Sequence, residues 1–365
     1  MTIDSNAPWL LERARRDGDR PALHFDGYAV TWSALATEAL AVAGALAQLG
    51  VGRGDIVALR MPPHPRFVAI LHAMQMLGAA LLPLNLRLTA PERRRILAHA
   101  RPRIVLDAER EQDSGEFLRA HPFADLDAPA TGFEPPAVVD PDTPLTIVYT
   151  SGTTAAPKGV VLTNANHVAA AQGSRRRLGH DASDTWLASL PLFHVGGLAI
   201  LARSVLEGSQ VLLQDAFDVD RVAKVLERGD ATMVSMVPTM LARVLDRMTT
   251  PASSRVRCVL VGGAALSPSL ARRALETGLP VSATYGMTEA CSQICSTEPA
   301  SGDAARGLVG GPLDGVEIVI DRADAEGWGE ILVRGRAITR GYLDNAEADR
   351  SALRDGWLRT GDIGR

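Results

Sequence analysis

The chain contains the stretch Tyr149-Thr150-Ser151-Gly152-Thr153-Thr154-Ala155-Ala156-Pro157-Lys158-Gly159 directly after an apolar run at positions 145–148. This pattern predicts a buried strand that runs into a polar loop. Its hydroxyl groups and backbone N–H groups can donate hydrogen bonds to phosphate oxygens, and Lys158 can place a positive charge beside them. The spacing G-x-x-x-x-G-K-[ST] of a Walker A loop is absent. On its own, the stretch is equally compatible with a polar surface turn that binds no ligand.

The composition indicates a large globular protein without the charge of a nucleic-acid-binding protein. Its 365 residues exceed one ordinary domain, so we expect two or three packed units. Hydrophobic residues make up 46% of the chain, and the net charge of −4 argues against a polyanion partner. The N-terminus lacks an apolar signal segment, and the apolar runs are too short to span a bilayer. We therefore expect a cytoplasmic protein with no membrane span and no nucleic-acid partner.

Three cysteines are too few to indicate a disulfide framework. Cys291 and Cys295 are four positions apart, and Cys258 lies well before them. Two thiols without a further cysteine or histidine nearby make a poor zinc site. We expect all three thiols to be reduced, as is usual in the cytosol.

Helix-like and strand-like patterns alternate along most of the chain, which predicts parallel sheets covered by helices. Thr89 and Glu92 have the spacing of a capping box at a helix start. Residues 108–143 show little periodicity, so we expect a loose connection there. From residue 145 onward, the pattern predicts strands at 145–149, 186–190, 210–214, 232–236, 256–261 and 281–285, with helices near 166–177, 197–206, 219–228, 238–247 and 268–277.

The pattern changes after Pro299, where short strands are separated by glycine-rich turns. Strands are predicted at 316–320, 329–333 and 357–360, with one helix near 346–353. We therefore predict an α/β fold with two helix-covered, mainly parallel sheets and a small β-rich subdomain. The predicted units are a first α/β subdomain with the phosphate loop (1–180), a second α/β subdomain (181–300), and the β-rich subdomain (301–365).

Four further segments follow the loop in a fixed order. They are Leu190-Pro191-Leu192-Phe193-His194-Val195-Gly196-Gly197, Leu260-Val261-Gly262-Gly263-Ala264, Thr284-Tyr285-Gly286-Met287-Thr288-Glu289-Ala290 and Gly356-Trp357-Leu358-Arg359-Thr360-Gly361-Asp362. With the loop, these motifs resemble the adenylate-forming superfamily of acyl-CoA synthetases, luciferases and adenylation domains. The resemblance runs from about Thr31 to the last residue. Segments 194–205, 237–241 and 285–293 more closely resemble the 2-succinylbenzoate–CoA ligases of menaquinone synthesis.

The resemblance implies an ATP-dependent acid–CoA ligase that uses Mg²⁺ as a cofactor and CoA as a co-substrate. Such an enzyme must hold the triphosphate, align a carboxylate with the α-phosphorus and stabilise the transition state. The expected partners are a small carboxylic acid, ATP and CoA, and the sequence leaves a homodimer open. Two alternatives are a fatty-acid or aryl-acid ligase and a non-catalytic acyl-adenylate-binding module. The presence of Lys158, Thr288, Glu289 and Asp362 counts against the binding module.

The phosphates and the metal are assigned to two segments by the resemblance. It places the β- and γ-phosphates at Thr150, Ser151, Gly152, Thr153, Thr154 and Lys158. It places the α-phosphate at Thr288 and Mg²⁺ at Glu289, because a carboxylate oxygen is a hard ligand suited to this ion. The alternative for Glu289 is an acidic residue that the dipole of a helix N-terminus favours. The predicted catalytic group is Lys158, His194, Thr288 and Glu289.

The adenosine is assigned to three other segments. The resemblance places adenine against the ring of Tyr285, within the segment Thr284-Tyr285-Gly286-Met287. Gly262, Gly263 and Ala264 lack bulky side chains, so their backbone can approach the edge of the base. Asp362 would accept hydrogen bonds from the ribose hydroxyls. The alternative for Asp362 is a turn-forming residue after Gly361.

The acid is expected to lie beside His194, at the junction of the acyl and nucleotide pockets. An orienting or gating role is predicted for His194 rather than general-base work, because a carboxylate is already ionised at neutral pH. Succinylbenzoate has a second carboxylate, and Arg203 is the candidate cation for it. The alternative for Arg203 is a solvated side chain on a helix. Further candidates for the acyl pocket are Gly196, Gly197, Ser235, Thr239, Ser292 and Gln293.

Two features depart from the family pattern. Ala155 occupies a position where family loops often carry glycine, and a left-handed conformation there would cost about 1–2 kcal/mol. The chain stops at Arg365, where family members continue into a small C-terminal domain of roughly 100 residues. In the family, that domain carries the lysine for adenylation and builds the thioester-forming site. We therefore expect a truncated chain that binds nucleotide and acyl-adenylate but is poorly active.

Overall fold

The computed structural model describes residues 3–107, 120–121, 123, 126, 132–150 and 157–365. The helices within these ranges are α1 (Trp9–Asp17), α2 (Trp32–Gln48), α3 (Pro65–Leu77), α4 (Ala90–Ala100), α5 (Asn164–Leu178), α6 (Val195–Glu207), α7 (Val219–Arg228), α8 (Pro238–Leu245), α9 (Pro268–Glu276) and α10 (Ala346–Ala352). Short 3₁₀ turns occur at Thr288–Ala290 and Ala304–Arg306.

The strands of the same ranges build three sheets. They are β1 (Pro21–Phe25), β2 (Tyr28–Thr31), β3 (Ile56–Arg60), β4 (Ala80–Pro83), β5 (Ile104–Asp107), β6 (Ala120–His121), β7 (Pro144–Thr150), β8 (Lys158–Thr163), β9 (Thr185–Ala188), β10 (Gln210–Leu213), β11 (Met233–Met236), β12 (Cys258–Val261), β13 (Val281–Tyr285), β14 (Cys295–Ser296), β15 (Gly311–Pro312), β16 (Val316–Asp321), β17 (Gly329–Gly335), β18 (Leu353–Arg354) and β19 (Trp357–Gly364).

The first sheet contains six strands in the order β6-β5-β3-β4-β7-β8. Its neighbours run parallel except for β7 and β8, which form an antiparallel pair. Helices cover both faces of the sheet. Alternate side chains of a strand point to opposite faces, so neighbouring residues of one strand pack against different helices. Val57 and Leu59 of β3 lie in the apolar cluster that includes α3, whereas Ala58 lies in the cluster that includes α4.

The second sheet contains nine strands in the order β15-β14-β13-β12-β11-β9-β10-β1-β2. Six of its strands, from β13 to β1 in this order, run parallel. At the ends of the sheet, β2 pairs antiparallel with β1, β14 with β13, and β15 with β14. Strand β1 comes from the start of the chain but pairs with β10. The first residues of the chain therefore lie in the sheet of the predicted second unit. The division into three units remains a prediction. The pairing of β1 with β10 joins strands from the two sides of the predicted boundary at residue 180.

The third sheet is small and antiparallel, with the strand order β16-β17-β19-β18. It corresponds to the predicted β-rich subdomain, and helix α10 precedes its last two strands. The predicted fold class, two mainly parallel sheets and a smaller β-rich part, matches this architecture. Among the described residues, no helix combines the length and the apolarity needed to cross a membrane.

Local sequence signals explain where several helices begin and end. Glu92 accepts a hydrogen bond from the backbone N–H of Thr89 at 2.8 Å, so the predicted capping box of α4 is confirmed. Helix α7 begins after Asp218, whose carboxylate accepts from the Arg221 N–H at 2.8 Å. It ends at Gly229, which has the left-handed φ of 72° that glycine adopts without strain.

Candidate active site

The predicted motifs follow neighbouring strands of the nine-stranded sheet. Strands β9, β11, β12 and β13 are parallel, and consecutive members of this series are paired. His194 follows the end of β9, Thr239 follows β11, Gly262 follows β12, and Tyr285 ends β13. Because parallel strands have their carboxyl ends at one edge of the sheet, these residues share that edge. Open α/β sheets bind ligands at this edge.

The predicted phosphate loop connects the antiparallel strands β7 and β8 of the six-stranded sheet. Thr150, the last residue of β7, pairs with Lys158, the first residue of β8. The two ends of the loop are therefore held side by side by the ladder. Four of the predicted phosphate-binding residues lie outside the described residues, as does Ala155; the four are Ser151, Gly152, Thr153 and Thr154.

Lys158 and Glu289 contact opposite parts of one tyrosine. The Lys158 ammonium lies 5.3 Å from the centre of the Tyr342 ring, and the Tyr342 hydroxyl donates to the Glu289 carboxylate at 2.9 Å. The backbone carbonyl of Glu289 also accepts from the Thr339 N–H at 2.7 Å. Burial and the Glu289 carboxylate raise the pKa of Tyr342, so its hydroxyl stays protonated at neutral pH. The structure thus brings a predicted phosphate ligand and the predicted metal ligand together.

Tyr285 and Asp362 form a second pair at the same edge. The Tyr285 hydroxyl donates to the Asp362 carboxylate at 2.7 Å. Tyr285 ends β13 of the nine-stranded sheet, whereas Asp362 lies on β19 of the small sheet. Burial is the main cause that raises the pKa of Tyr285, and the nearby Asp362 raises it further. The predicted adenine and ribose residues are therefore neighbours from two different sheets.

Three glycines of the predicted adenine site are required by close approaches within the protein or by backbone conformation. A Cβ atom at Gly286 would lie 1.7 Å from the backbone oxygen of Ser292, and one at Gly262 would lie 2.5 Å from Thr284 Cγ2. Gly263 has a φ of +77°, which glycine adopts at little cost. These contacts give the glycines a role in packing beside the predicted one toward the base. Ala264, next in the chain, is exposed.

The backbone after Glu289 turns sharply. Cys291 has a φ of 51° and Ser292 a φ of 107°, a conformation that costs about 1–3 kcal/mol per residue. Inside the protein, this turn contacts His167, whose Nδ1 lies 3.5 Å from the Cys291 thiol. The other ring nitrogen of His167 lies 2.9 Å from the Thr146 hydroxyl on β7. This buried contact connects the segment of the candidate metal ligand Glu289 to the strand that leads into the predicted phosphate loop.

His194 immediately precedes helix α6. Its ring packs against Phe193, with 4.3 Å between the ring centres, and it reaches solvent at the edge of the sheet. Partial desolvation by surrounding atoms lowers the pKa of His194, which favours the neutral imidazole. Gly197 is fixed by packing, because a Cβ atom there would lie 2.5 Å from the Pro191 carbonyl oxygen, and Gly196 has Leu190 at 3.2 Å.

Arg203 lies deep inside the protein, on the third turn of α6. Its side chain is 1% exposed, which excludes the solvated helix position that the sequence left open. The guanidinium donates to the side-chain oxygen of Gln293 at 2.6 Å and lies 5.4 Å from the Trp186 ring centre. No carboxylate pairs with it among the described residues, and its Nε lacks a partner there. Burial lowers the pKa of Arg203 to about 10, so it remains a cation at neutral pH.

Gln293 connects Arg203 to the end of β13. Its amide nitrogen donates to the Ser296 hydroxyl at 2.7 Å, and that hydroxyl donates to Thr284 at 2.8 Å. Thr284 directly precedes Tyr285. A buried chain of neutral polar groups therefore joins the candidate acid-binding arginine to the candidate adenine-binding strand.

The remaining predicted acyl-pocket residues differ in exposure. Ser235 on β11 is 4% exposed, and its hydroxyl has no partner among the described residues. Ser292 is half-buried, three residues after the candidate metal ligand Glu289, whereas Thr239 is exposed in the first turn of α8. Ser235 is thus the member of this set that most needs a polar ligand or a water molecule.

Tyr342 and His167 are not among the residues that the sequence predicts for the site. Tyr342 belongs to the segment Arg340-Gly341-Tyr342, which carries no periodicity or spacing that indicates a nucleotide site. His167 lies in the predicted helix near 166–177, where a lone histidine has no recognisable partner in sequence. Both residues act through contacts between segments far apart in the chain, so no local signal identifies them.

Comparison with known proteins identifies the family. A family profile described as AMP-binding enzyme matches residues 10–343. The chain belongs to the AMP-binding enzyme family. Among its relatives in this family, the 2-succinylbenzoate–CoA ligase of Bacillus cereus (strain Q1) is 36% identical over 368 residues, covering 98% of this chain and 75% of that protein. The ligase of the same name from Bacillus pumilus (strain SAFR-032) is 38% identical over 365 residues, covering 98% and 74%.

Solved structures of family members superimpose closely. The o-succinylbenzoate CoA synthetase of Bacillus subtilis in complex with the acyl-adenylate intermediate OSB-AMP has a TM-score of 0.93 and 34% identity, covering 98% of this chain and 75% of that one. The same enzyme with ATP and magnesium ion has a TM-score of 0.93, 34% identity and coverages of 98% and 77%. The N-terminal domain of FACL13 from Mycobacterium tuberculosis has a TM-score of 0.87 and 26% identity, covering 99% and 97%.

These relatives confirm the predicted family, fold class and ATP-dependent acid–CoA ligase function. The predicted ATP and Mg²⁺ agree with the contents of a solved relative, and the predicted CoA co-substrate agrees with the names of the relatives. The roles of individual site residues, the division into three units and the poor activity stay predictions.

Proposed function

We propose that this chain activates the carboxylate of 2-succinylbenzoate with ATP to form an acyl-adenylate, which CoA then converts to a thioester for menaquinone synthesis. The observation that carries the proposal is the placement of Lys158 and Glu289 around Tyr342. This arrangement would let one magnesium nucleotide contact a cation and a carboxylate together. The high similarity to 2-succinylbenzoate–CoA ligases supports the choice of acid.

The reaction requires a carboxylate oxygen of the acid to attack the α-phosphorus of ATP. The new bond forms as the bond from the α-phosphorus to the bridging oxygen breaks, and pyrophosphate leaves with the electron pair. In the second step, the CoA thiol gives up its proton and its sulfur attacks the acyl carbon, while the bond from that carbon to the phosphate oxygen breaks and AMP leaves with the electron pair. Lys158 would neutralise the β- and γ-phosphates, and Thr288 would donate to the α-phosphate.

Glu289 suits Mg²⁺ that is shared with a nucleotide. Among the described residues, no three His, Cys, Asp or Glu side chains lie together as a metal cluster. Mg²⁺ in nucleotide sites is commonly held by one or two carboxylates, with phosphate oxygens and water as its other ligands. A single carboxylate therefore fits an ion that arrives with ATP. When bound, the ion would neutralise charge on the phosphates.

The adenosine would occupy the edge formed by Tyr285 and Asp362. The Tyr285 ring offers a stacking face for adenine, and the Asp362 carboxylate can accept from the ribose hydroxyls while it also accepts from Tyr285. Gly262, Gly263 and Ala264 follow the adjacent strand β12 and would border the base.

The acid would lie between His194 and the region of Arg203. His194 at the mouth would orient the carboxylate that reacts, and the buried Arg203 would meet the second carboxylate. A buried cation without a carboxylate partner favours an anionic end on the ligand. This observation favours a dicarboxylate over a fatty acid, whose far end is apolar. A cytoplasmic location and a homodimer stay predictions.

A thermal-shift panel tests the proposal. Non-hydrolysable acyl-sulfamoyl adenosines would carry a succinylbenzoyl, a benzoyl or a fatty acyl group. A fourth compound would carry the succinylbenzoyl group with its free carboxylate as a methyl ester, which keeps the shape but removes the charge. A ligand at 100 times its Kd stabilises the fold by about 2.7 kcal/mol.

We expect the succinylbenzoyl compound to raise the unfolding temperature most and the ester to lose most of that gain. Equal shifts for all four compounds would contradict the choice of acid but support an acyl-adenylate site. The absence of a shift with every compound would contradict the ligase proposal.

A further inference from the structure

Tyr342 links two parts of the candidate nucleotide site that come from different sheets. Its hydroxyl donates to Glu289, which follows β13, and its ring faces the ammonium of Lys158, which begins β8. The tyrosine is 8% exposed, so its position is fixed by packing. One side chain therefore contacts both the candidate metal ligand and the candidate phosphate ligand.

The segment that carries Tyr342 is held to β8 by three hydrogen bonds and to α10 by a fourth. The Leu343 N–H donates to the Gly159 carbonyl at 2.8 Å, and the Val161 N–H donates to the Gly341 carbonyl at 3.2 Å. The Thr339 hydroxyl donates to the Val161 carbonyl at 2.6 Å. On the other side, the N–H of Tyr342 itself donates to a carboxylate oxygen of Asp349 at 2.8 Å. Because the backbone is held on both sides, the Tyr342 side chain extends from a rigid support.

We propose that Tyr342 is a positioning residue that sets the spacing between Lys158 and Glu289 before the magnesium nucleotide binds. The proposal rests on the proposed function. A hydroxyl donor occupies one of about four lone-pair sites of a carboxylate, so the other sites of Glu289 remain open to a cation. The ring attracts the ammonium through its π face without neutralising its charge, so Lys158 remains able to pair with phosphate. Both groups are thus oriented while their charges stay available.

Two substitutions separate the contributions of the hydroxyl and the ring. Tyr342→Phe removes the donor to Glu289 and keeps the ring under Lys158. Tyr342→Leu removes both contacts and keeps an apolar side chain in the buried position. The Kd of ATP would be measured calorimetrically with the full chain over a series of MgCl₂ concentrations, so the result does not depend on turnover.

For Tyr342→Phe, we expect the half-saturating Mg²⁺ concentration to rise about tenfold, because a hydrogen bond to a charged group is lost. At saturating Mg²⁺, its Kd for ATP should return to within about twofold of the wild-type value. For Tyr342→Leu, we expect the Kd to stay at least about fivefold weaker even at saturating Mg²⁺, because Lys158 loses the ring. A role in folding alone would weaken binding equally at every Mg²⁺ concentration.

Tyr28→Phe is the matched control. It removes another tyrosine hydroxyl, on the edge strand β2, which lies at the opposite end of the nine-stranded sheet from β13. Its Mg²⁺ requirement should equal that of the wild type. Suppose that the wild-type protein binds ATP with Mg²⁺ but Tyr342→Phe needs no more Mg²⁺ than the wild type. This result would overturn the positioning role of Tyr342 and leave the proposed function standing. A wild-type protein that binds no ATP at any Mg²⁺ concentration would overturn both proposals.

Discussion

Replacing Arg203 with methionine should separate the stability of the fold from recognition of the acid. The guanidinium is 1% exposed and bonds to the neutral side chain of Gln293. Arg203 has no carboxylate partner to leave uncompensated, and replacement of a whole buried ion pair by apolar groups is often neutral or stabilising by about 1–4 kcal/mol. Leaving the Gln293 oxygen unpaired costs about 1–3 kcal/mol in the opposite direction. We therefore expect the free energy of unfolding of the free protein to change by less than about 2 kcal/mol.

Binding of the dicarboxylate should change much more. A hydrogen bond between charged groups contributes about 1.5–3 kcal/mol. Its loss corresponds to a Kd about 10 to 150 times weaker for the succinylbenzoyl adenylate analogue. The benzoyl analogue has no second carboxylate, so its Kd should change less than about twofold. The double variant Arg203→Met/Gln293→Leu removes the unpaired amide and should unfold at a higher denaturant concentration than the single variant.

Calorimetric titration of the two analogues and denaturant unfolding of the free proteins check these expectations. An equal loss of affinity for both analogues would refute the contact between Arg203 and the second carboxylate. A loss of unfolding free energy above about 4 kcal/mol would instead make Arg203 a structural residue, because it exceeds every cost counted above.

Two other predictions follow from the hydrogen bonds and the buried histidines. Asp362→Asn should weaken ATP binding about tenfold in a calorimetric titration, because the ribose and Tyr285 lose a charged acceptor; an unchanged Kd would remove Asp362 from the nucleotide site. Burial lowers the pKa of His72 and of His167 to about 4, and burial is the main cause that lowers the pKa of His180 to about 3. Because the unfolded chain binds more protons than the folded one below about pH 6.5, stability should fall between pH 6.5 and 4, by up to about 1.4 kcal/mol per pH unit for each histidine. Guanidinium unfolding from pH 7.5 to 4.5 measures how stability depends on pH. His72→Leu should reduce this dependence, and an equal dependence in that variant would contradict the lowered pKa of His72.

Much of the α/β body could be predicted because its signals are local. The predicted helix at 219–228 has the observed bounds of α7, since Asp218 and Gly229 mark its two ends. The predicted strand at 281–285 has the observed bounds of β13. Apolar runs of this length between turn residues read clearly as buried strands.

Pairing between distant segments could not be predicted in the same way. Strand β1 pairs with β10, which lies far along the chain, and no residue pattern in either strand indicates its partner. The burial of Arg203 was equally hidden, because its neighbours Trp186 and Gln293 come from other elements. Exposure and partners of single polar residues depend on tertiary packing, which periodicity does not report.

The candidate nucleotide site draws on all three sheets, and this has a consequence for synthesis of the chain. Lys158 belongs to the six-stranded sheet, Tyr285 to the nine-stranded sheet and Asp362 to the small antiparallel sheet. Ribosomes make the chain from its amino terminus, so Asp362 emerges long after the other two. A nascent polypeptide can complete both large sheets and still lack one wall of the cleft. ATP would therefore stabilise the polypeptide only after Asp362 has been synthesised.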